Sequence, residues 1–332
     1  MSVAATSVES YGPELIRATK PFAVENRTRT WWLFAQTATA LVAAFALAAS
    51  PVLLPLRLLG SALVALLLLR LFMFFHDYEH KSIWRRSRAA HAFMVAVGWL
   101  ILAPMPIWKE THDYHHRNNA KILGSAIGSF PVVTTGMWRG MDASARRRYR
   151  LARHPVTIAT GYLTIFVVGM CLAPFARSRR HWQGPAALAV HVAGVAALAW
   201  GLGWTAAVLA VLAPWTVAMG LGAYLFYVQH NFPGVELRGR RDWNYEHAAL
   251  RASSMFEMNP VMHWFTGNIG YHHVHHLNAH IPFYRLPEVV EAFPAELTHP
   301  HPTSWRPRDV RACLALGLWD PDQQTMVPIT RR

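Results

Sequence analysis

LRLLGSALVALLLLRLFMFFHDYEH, residues 56–80, holds the reading that decides the fold. Leu56–Phe75 is an apolar run, and about 20 such residues suffice to cross a bilayer as a helix. Arg70, near its polar end, is expected to snorkel toward the interface. The run passes directly into His76-Asp77-Tyr78-Glu79-His80. A helix continuing through it carries two imidazoles to one face, because residues four apart lie one turn apart. The stretch predicts a membrane span that ends in metal ligands.

The chain around it repeats the apolar half of this pattern. Trp31–Ala49 and Val156–Ala173 are similar runs, and Pro185–Val228 is long enough for two passes. Ala89–Trp108 is weaker, since Pro104 and Pro106 interrupt its end. Only 15% of the 332 residues are charged and 53% are hydrophobic, against about 25% charged in soluble domains. Met1–Glu25 is polar and mixed in charge and lacks the features of a signal peptide. Arg27 and Arg29 before the first run favour a cytoplasmic N-terminus. The net charge of +14 gathers in loops, as at Arg139, Arg146, Arg147, Arg148, Arg150 and Arg153. That is the positive-inside bias, with contact to anionic lipid. A sharper reading is docking of an acidic electron carrier. No nucleic-acid module accompanies the charge, so no nucleic-acid partner is expected. Cys171 and Cys313 form no CxxC pair and are expected to be reduced and uncatalytic.

Two further clusters match the first: His112-Asp113-Tyr114-His115-His116 and His272-His273-Val274-His275-His276. They read as HxxHH after the initial HxxxH, and His230 ends the last long apolar run. If the clusters form one site, they lie on one side of the membrane, and the crossings between them are even in number. His91–Ile107 is then a dip or a surface piece. Of the three later candidates, Val156–Ala173, bracketed by Pro155 and Pro174, is the re-entrant one. The basic Arg177-Ser178-Arg179-Arg180 is cytoplasmic, and Gly201-Leu202-Gly203 is the outer turn. A rival topology makes Val156–Ala173 a span and fuses the later two runs. Both give an all-α integral membrane protein of about four spans with a cytoplasmic cap. Residues 1–30 form a cytoplasmic segment, 31–287 the membrane domain, and 288–332 a cytoplasmic tail that its prolines make loop-rich. Met137–Arg153 reads as an interfacial amphipathic helix.

Within each cluster the histidines at i, i+3 and i+4 are expected to point together. Imidazole suits iron, copper, zinc and nickel, and one metal takes roughly three to six ligands, so eight or nine imply two metals. Dioxygen chemistry makes iron the choice. The box histidines expected as ligands are His76, His80, His112, His115, His116, His272, His275 and His276, with no catalytic residue beyond the metal ligands. His273 lies off the shared face. His91, His154, His181, His191, His247, His263, His280, His299 and His301 read as satisfied or surface residues. Asp77, Glu79, Glu110, Asp113, Glu246 and Glu257 are the acids near enough to hold a ligand's second ring nitrogen. Asn268 is a candidate to orient a water or ligand, or to cap a turn.

The boxes and their spacing resemble the membrane fatty acid desaturases. Two longer strings are similar to the bacterial and cyanobacterial acyl-lipid omega-6 (delta-12 type) branch. One is Phe226-Tyr227-Val228-Gln229-His230-Asn231-Phe232. The other runs from Gly267 through the third box to Leu277, continuing as Ile281-Pro282-Phe283-Tyr284-Arg285-Leu286-Pro287. The first box departs from that branch, with Glu79 where glycine commonly precedes the second histidine, followed by Lys81. The resemblance implies a non-haem di-iron centre with two iron ions and His230 as the extra ligand. It implies O2 as co-substrate and a cis double bond introduced into an acyl-lipid or other fatty acyl chain. A separate electron donor, ferredoxin-like or cytochrome b5-like, is expected, since no HPGG-bearing domain is fused. The expected location is a bacterial inner membrane with the site on the cytoplasmic side. A related di-iron hydroxylase or ketolase acting on a lipid, carotenoid or alkane shares the boxes and differs in product. A metal transporter would place ionisable residues along its spans, which here are nearly free of them.

Overall fold

A computed structural model describes residues 8–122, 124 and 127–329. Among the described residues, four helices are long and apolar enough to cross a membrane: Arg27–Ala49, Leu54–Glu79, Arg179–Leu202 and Trp204–Val228. The fold is all-α in its membrane part, as expected. Asn26 caps the first helix by accepting the Arg29 N–H at 2.9 Å, and Pro51 follows its end. Pro55 opens the second, where a missing N–H costs nothing.

These two helices form a close hairpin because Gly60 lets them touch. A Cβ there would lie 2.7 Å from the Ala48 nitrogen and 2.9 Å from the Ala44 carbonyl oxygen, both fixed backbone atoms. Lipid tails are as apolar as leucine, so spans associate through such close packing at small residues. Gly60→Leu is therefore expected to force the hairpin apart, costing about 1–3 kcal/mol of stability. A lowered melting temperature in detergent measures it; an unchanged one would show that the contact yields freely.

The Ala89–Trp108 run is not one continuous helix. Helices Arg88–Leu100 and Met105–Asn118 meet at a bend of 88°. Leu102 sits in the break at φ 54°, and Pro104 precedes the second helix. Trp215 Nε1–H donates to the Leu100 carbonyl at 2.9 Å, satisfying a group the break exposes. Beyond the bend the second helix brings box two against box one, with His112 Nε2 2.9 Å from His80 Nε2. The Tyr162–Arg177 helix is shorter than a span, and Gly203, at φ 85°, separates the last two long helices. The last two runs are thus separate helices rather than the single irregular pass of the fused-span rival.

Three expectations are corrected. Arg70 does not snorkel; it is 2% exposed. Its Nε donates to Thr37 Oγ1 at 3.0 Å, its Nη1 donates to the Trp264 carbonyl, and its guanidinium lies 3.9 Å over the Trp264 ring. These internal acceptors and the ring take the place that interfacial water would have filled. Met137–Arg153 is not one helix but two, Thr135–Gly140 and Ala143–Ala152, with Asp142 capping the second at Ala145 N (2.7 Å). Trp138 and Tyr149 bury one side of them, and Arg153 is buried as well. The tail is also more structured than its prolines suggest. Strand β1 (Val133–Thr134) pairs in parallel with β4 (Leu316–Asp320), which pairs antiparallel with β5 (Thr325–Pro328). Strand β2 (Phe256–Glu257) pairs in parallel with β3 (Thr303–Ser304). These ladders tie residues beyond 300 to the loops that carry the histidines.

Candidate metal centre

Each histidine cluster lands where its helix ends or turns back. His76 and His80 close the Leu54–Glu79 helix, box two lies on Met105–Asn118, and box three forms the short helix His272–Leu277. His230 follows the C-terminus of the last long helix, its N–H bonded to the Tyr227 carbonyl at 3.2 Å.

All nine expected histidines converge, and they divide in two. His76, His80, His112, His116 and His275 form one group; His115, His230, His272 and His276 form the other. Within each group one ring nitrogen per residue lies within 4.8 Å of all the rest. The division corrects the expectation that each box presents one face. At about 100° per residue, positions i and i+4 lie about 40° apart, while i+3 lies on the other flank of i. Box two therefore gives His112 and His116 to one group and His115 to the other. Box three gives His272 and His276 to one and His275 to the other.

The nitrogens form two chains of close contacts. In the first, His80 Nε2 meets His112 Nε2 at 2.9 Å, His112 meets His116 at 3.1 Å, and His116 meets His275 at 3.2 Å. In the second, His115 meets His276 at 3.3 Å, His276 meets His272 at 3.0 Å, and His272 meets His230 at 2.9 Å. A neutral imidazole nitrogen either donates or accepts, so three successive contacts among four such atoms cannot all be good hydrogen bonds. A cation among them resolves the conflict. With metal–nitrogen bonds of about 2.1 Å, adjacent ligands of one ion sit about 3 Å apart, the spacing seen here.

The charge state agrees. Burial first, and then the neighbouring imidazoles, hold His80, His272, His275 and His276 well below the ordinary histidine value. Burial pushes His230 down to about 4, against a smaller opposing effect of its bond to Ala252. Neutral imidazole is the form that binds metal.

The outer nitrogens are oriented at two positions. His76 Nδ1–H donates to Asp77 Oδ1 at 3.1 Å, and His230 Nδ1–H donates to the Ala252 carbonyl at 3.1 Å. Of the six acids considered, Asp77 is the one bonded to a box histidine among the described residues. Asp113 pairs with Lys109 at 2.9 Å, and Glu110 with Arg180 at 2.9 Å. Glu79 is buried, with Oε1 lacking a hydrogen-bond partner. His273 stays outside the groups, its Nε2 on the Leu297 carbonyl at 2.9 Å. Asn268 adopts φ 57° and donates from Nδ2 to the Phe283 carbonyl at 3.1 Å, so it serves a turn rather than a ligand. His191 bonds Tyr162 Oη at 2.8 Å, as its structural reading implied. Trp108, stacked on His112 with centroids 4.1 Å apart, was missed; its place one turn before His112 was the available signal.

Residues 53–308 match the family model described as fatty acid desaturase, a span that includes all nine histidines. A curated protein of Bacillus subtilis (strain 168) named "Fatty acid desaturase" is 29% identical over 281 residues, covering 82% of this chain and 77% of that protein.

Proposed function

The chain belongs to the fatty acid desaturase family, and on that premise we propose that it is an O2-dependent di-iron acyl-lipid desaturase. Membership makes it an oxidoreductase acting on fatty acyl chains, and its four apolar helices suit a membrane protein. The observation that carries the finer reading is the division of nine histidines into two metal-sized groups.

The balanced reaction takes a –CH2–CH2– unit, O2, two electrons and two protons to a cis –CH=CH– unit and two waters. Iron, when bound with O2, supplies the oxidising power for unactivated C–H bonds that no side chain has. The chain's part is to hold, orient and shield. The members of both groups are buried or half-buried, which limits access of bulk water. Asp77 Oδ1 and the Ala252 carbonyl fix the protons of His76 and His230 on Nδ1, leaving the other nitrogen toward its group. Phe72, Phe75 and Trp108 pack together beside box one, and Phe72 and Trp108 lie within 6.4 Å of the His76 ring, giving that imidazole an apolar surround.

Positive-inside charge supports a cytoplasmic site in a bacterial inner membrane. The Arg180–Glu110 pair brings the basic Arg177–Arg180 linker to the same end as box two. Electrons would come from a separate ferredoxin-like or cytochrome b5-like donor. The test is expression with a reductase system and mass spectrometry of cellular lipids. A new acyl double bond is expected. A new hydroxyl or keto group without unsaturation would replace this reading with a hydroxylase or ketolase.

A further inference from the structure

His230 is the isolated joint of the four-histidine group. Its partners come from helices that carry whole boxes, whereas it stands alone past a helix end. Something other than a neighbouring ligand has to fix its backbone. On one side Gln229 does so, donating from Nε2 to the Ile269 carbonyl at 2.9 Å. On the other side stands Arg153.

Arg153 is 4% exposed, and no acid pairs with it among the described residues. Its Nη1 donates to the Pro131 carbonyl at 2.7 Å. Its Nη2 donates to Tyr227 Oη at 3.1 Å, to Asn231 Oδ1, and to the Leu316 carbonyl at 3.3 Å. Tyr227 and Asn231 lie three residues before His230 and one after it. They reach the same C-terminal segment themselves. Tyr227 Oη donates to Leu316 O at 3.2 Å, and Asn231 Nδ2 donates to Cys313 O at 2.7 Å. A small cavity of about 20 Å³, roughly one water in size, adjoins Arg153, Tyr227, His230 and Asn231. It leaves the His230 turn room to shift if the clamp is lost.

We propose that Arg153 is a positioning residue that clamps the His230 turn between the 131 loop and strand β4, and so sets the fourth ligand of the second metal group. A buried guanidinium is costly to desolvate, and a rigid fork over four oxygens is a task lysine cannot copy. The clamp uses Cys313 and Leu316, beyond residue 308 where the family match ends. The second metal position is thereby tied to a segment outside that match.

This inference rests on the two-metal reading of the histidine groups, and the experiment separates the two. Ferrous iron is titrated under argon into metal-free protein in detergent, and the two binding steps are assigned with His80→Ala and His230→Ala. Arg153→Gln is expected to weaken the four-histidine step by about 10–100-fold, the usual effect of losing a residue that orients a ligand, and to spare the five-histidine step. Arg153→Lys should fall between, and Tyr227→Phe should weaken the same step by a smaller factor. If Arg153→Gln does not fold, the other two variants decide. Equal weakening of both steps, or no weakening, in the folded variants overturns the clamp. Fewer than two steps in the wild-type protein would instead overturn the two-metal reading.

Discussion

His116→Ala is expected to abolish turnover to the uncatalysed background and, on the two-metal reading, to weaken metal binding at one of the two histidine groups alone. His116 Nε2 meets both His112 Nε2 (3.1 Å) and His275 Nε2 (3.2 Å), so it links two boxes at the centre of the five-histidine group. Alanine removes that donor, opens a hole in a largely buried site, and leaves four imidazoles without the link between boxes two and three. The four-histidine group keeps its whole set, because His116 is not among its members. Weakened binding at one group without the other is therefore the signature, and His272→Ala should give the complementary result. Metal per chain by mass spectrometry, with lipid profiling, measures both. His181→Ala, at a partly exposed residue that belongs to neither group, is the control for histidine loss as such. If His116→Ala retained two metals and wild-type product, the grouping itself would be wrong.

Local rules made much of this protein legible. Membrane-length apolar runs mark the four long helices, and the prolines at 104 and 106 mark the run that turns back. Parity then placed Val156–Ala173 among the shorter pieces, and helical spacing picked out eight of the candidate ligands, while His230 came from the resemblance. Their division was not legible, because it depends on how three helix ends are rotated about a common space. Arg70 and Arg153 were misread for one reason. An arginine at a helix end looks like charge bound for water, and its true acceptors, the Trp264 and Leu316 carbonyls, lie 194 and 163 residues away. Strands of two to five residues, paired in part in parallel with distant loops, likewise leave little local trace. The resemblance to desaturases could name the boxes but not these supports.

Asp77→Asn carries the second large effect, although it changes one atom. Asp77 is 1% exposed and engages both carboxyl oxygens: Oδ1 accepts from His76 Nδ1 at 3.1 Å, and Oδ2 accepts the Phe283 N–H at 2.7 Å. It therefore joins box one to the loop just after box three. An asparagine has one oxygen and one NH2 to place in these positions. If the NH2 faces Phe283, two donors confront each other and a buried N–H is orphaned, at about 1–3 kcal/mol. If the NH2 faces His76, Nδ1 must accept, and the ring proton moves to Nε2, the nitrogen that faces the group. A protonated nitrogen is no metal ligand. Either placement is expected to weaken the five-histidine group for metal by about 10–100-fold and to cut turnover in proportion. Iron titration of the detergent-solubilised variant reads the first quantity, and lipid profiling at saturating and limiting iron reads the second. Added iron should restore part of the activity if the NH2 faces Phe283, where the ligand tautomer survives. No rescue is expected if it faces His76. An Asp77→Asn protein with wild-type iron affinity would show that His76 needs no carboxyl partner, and that the link to Phe283 serves the fold alone.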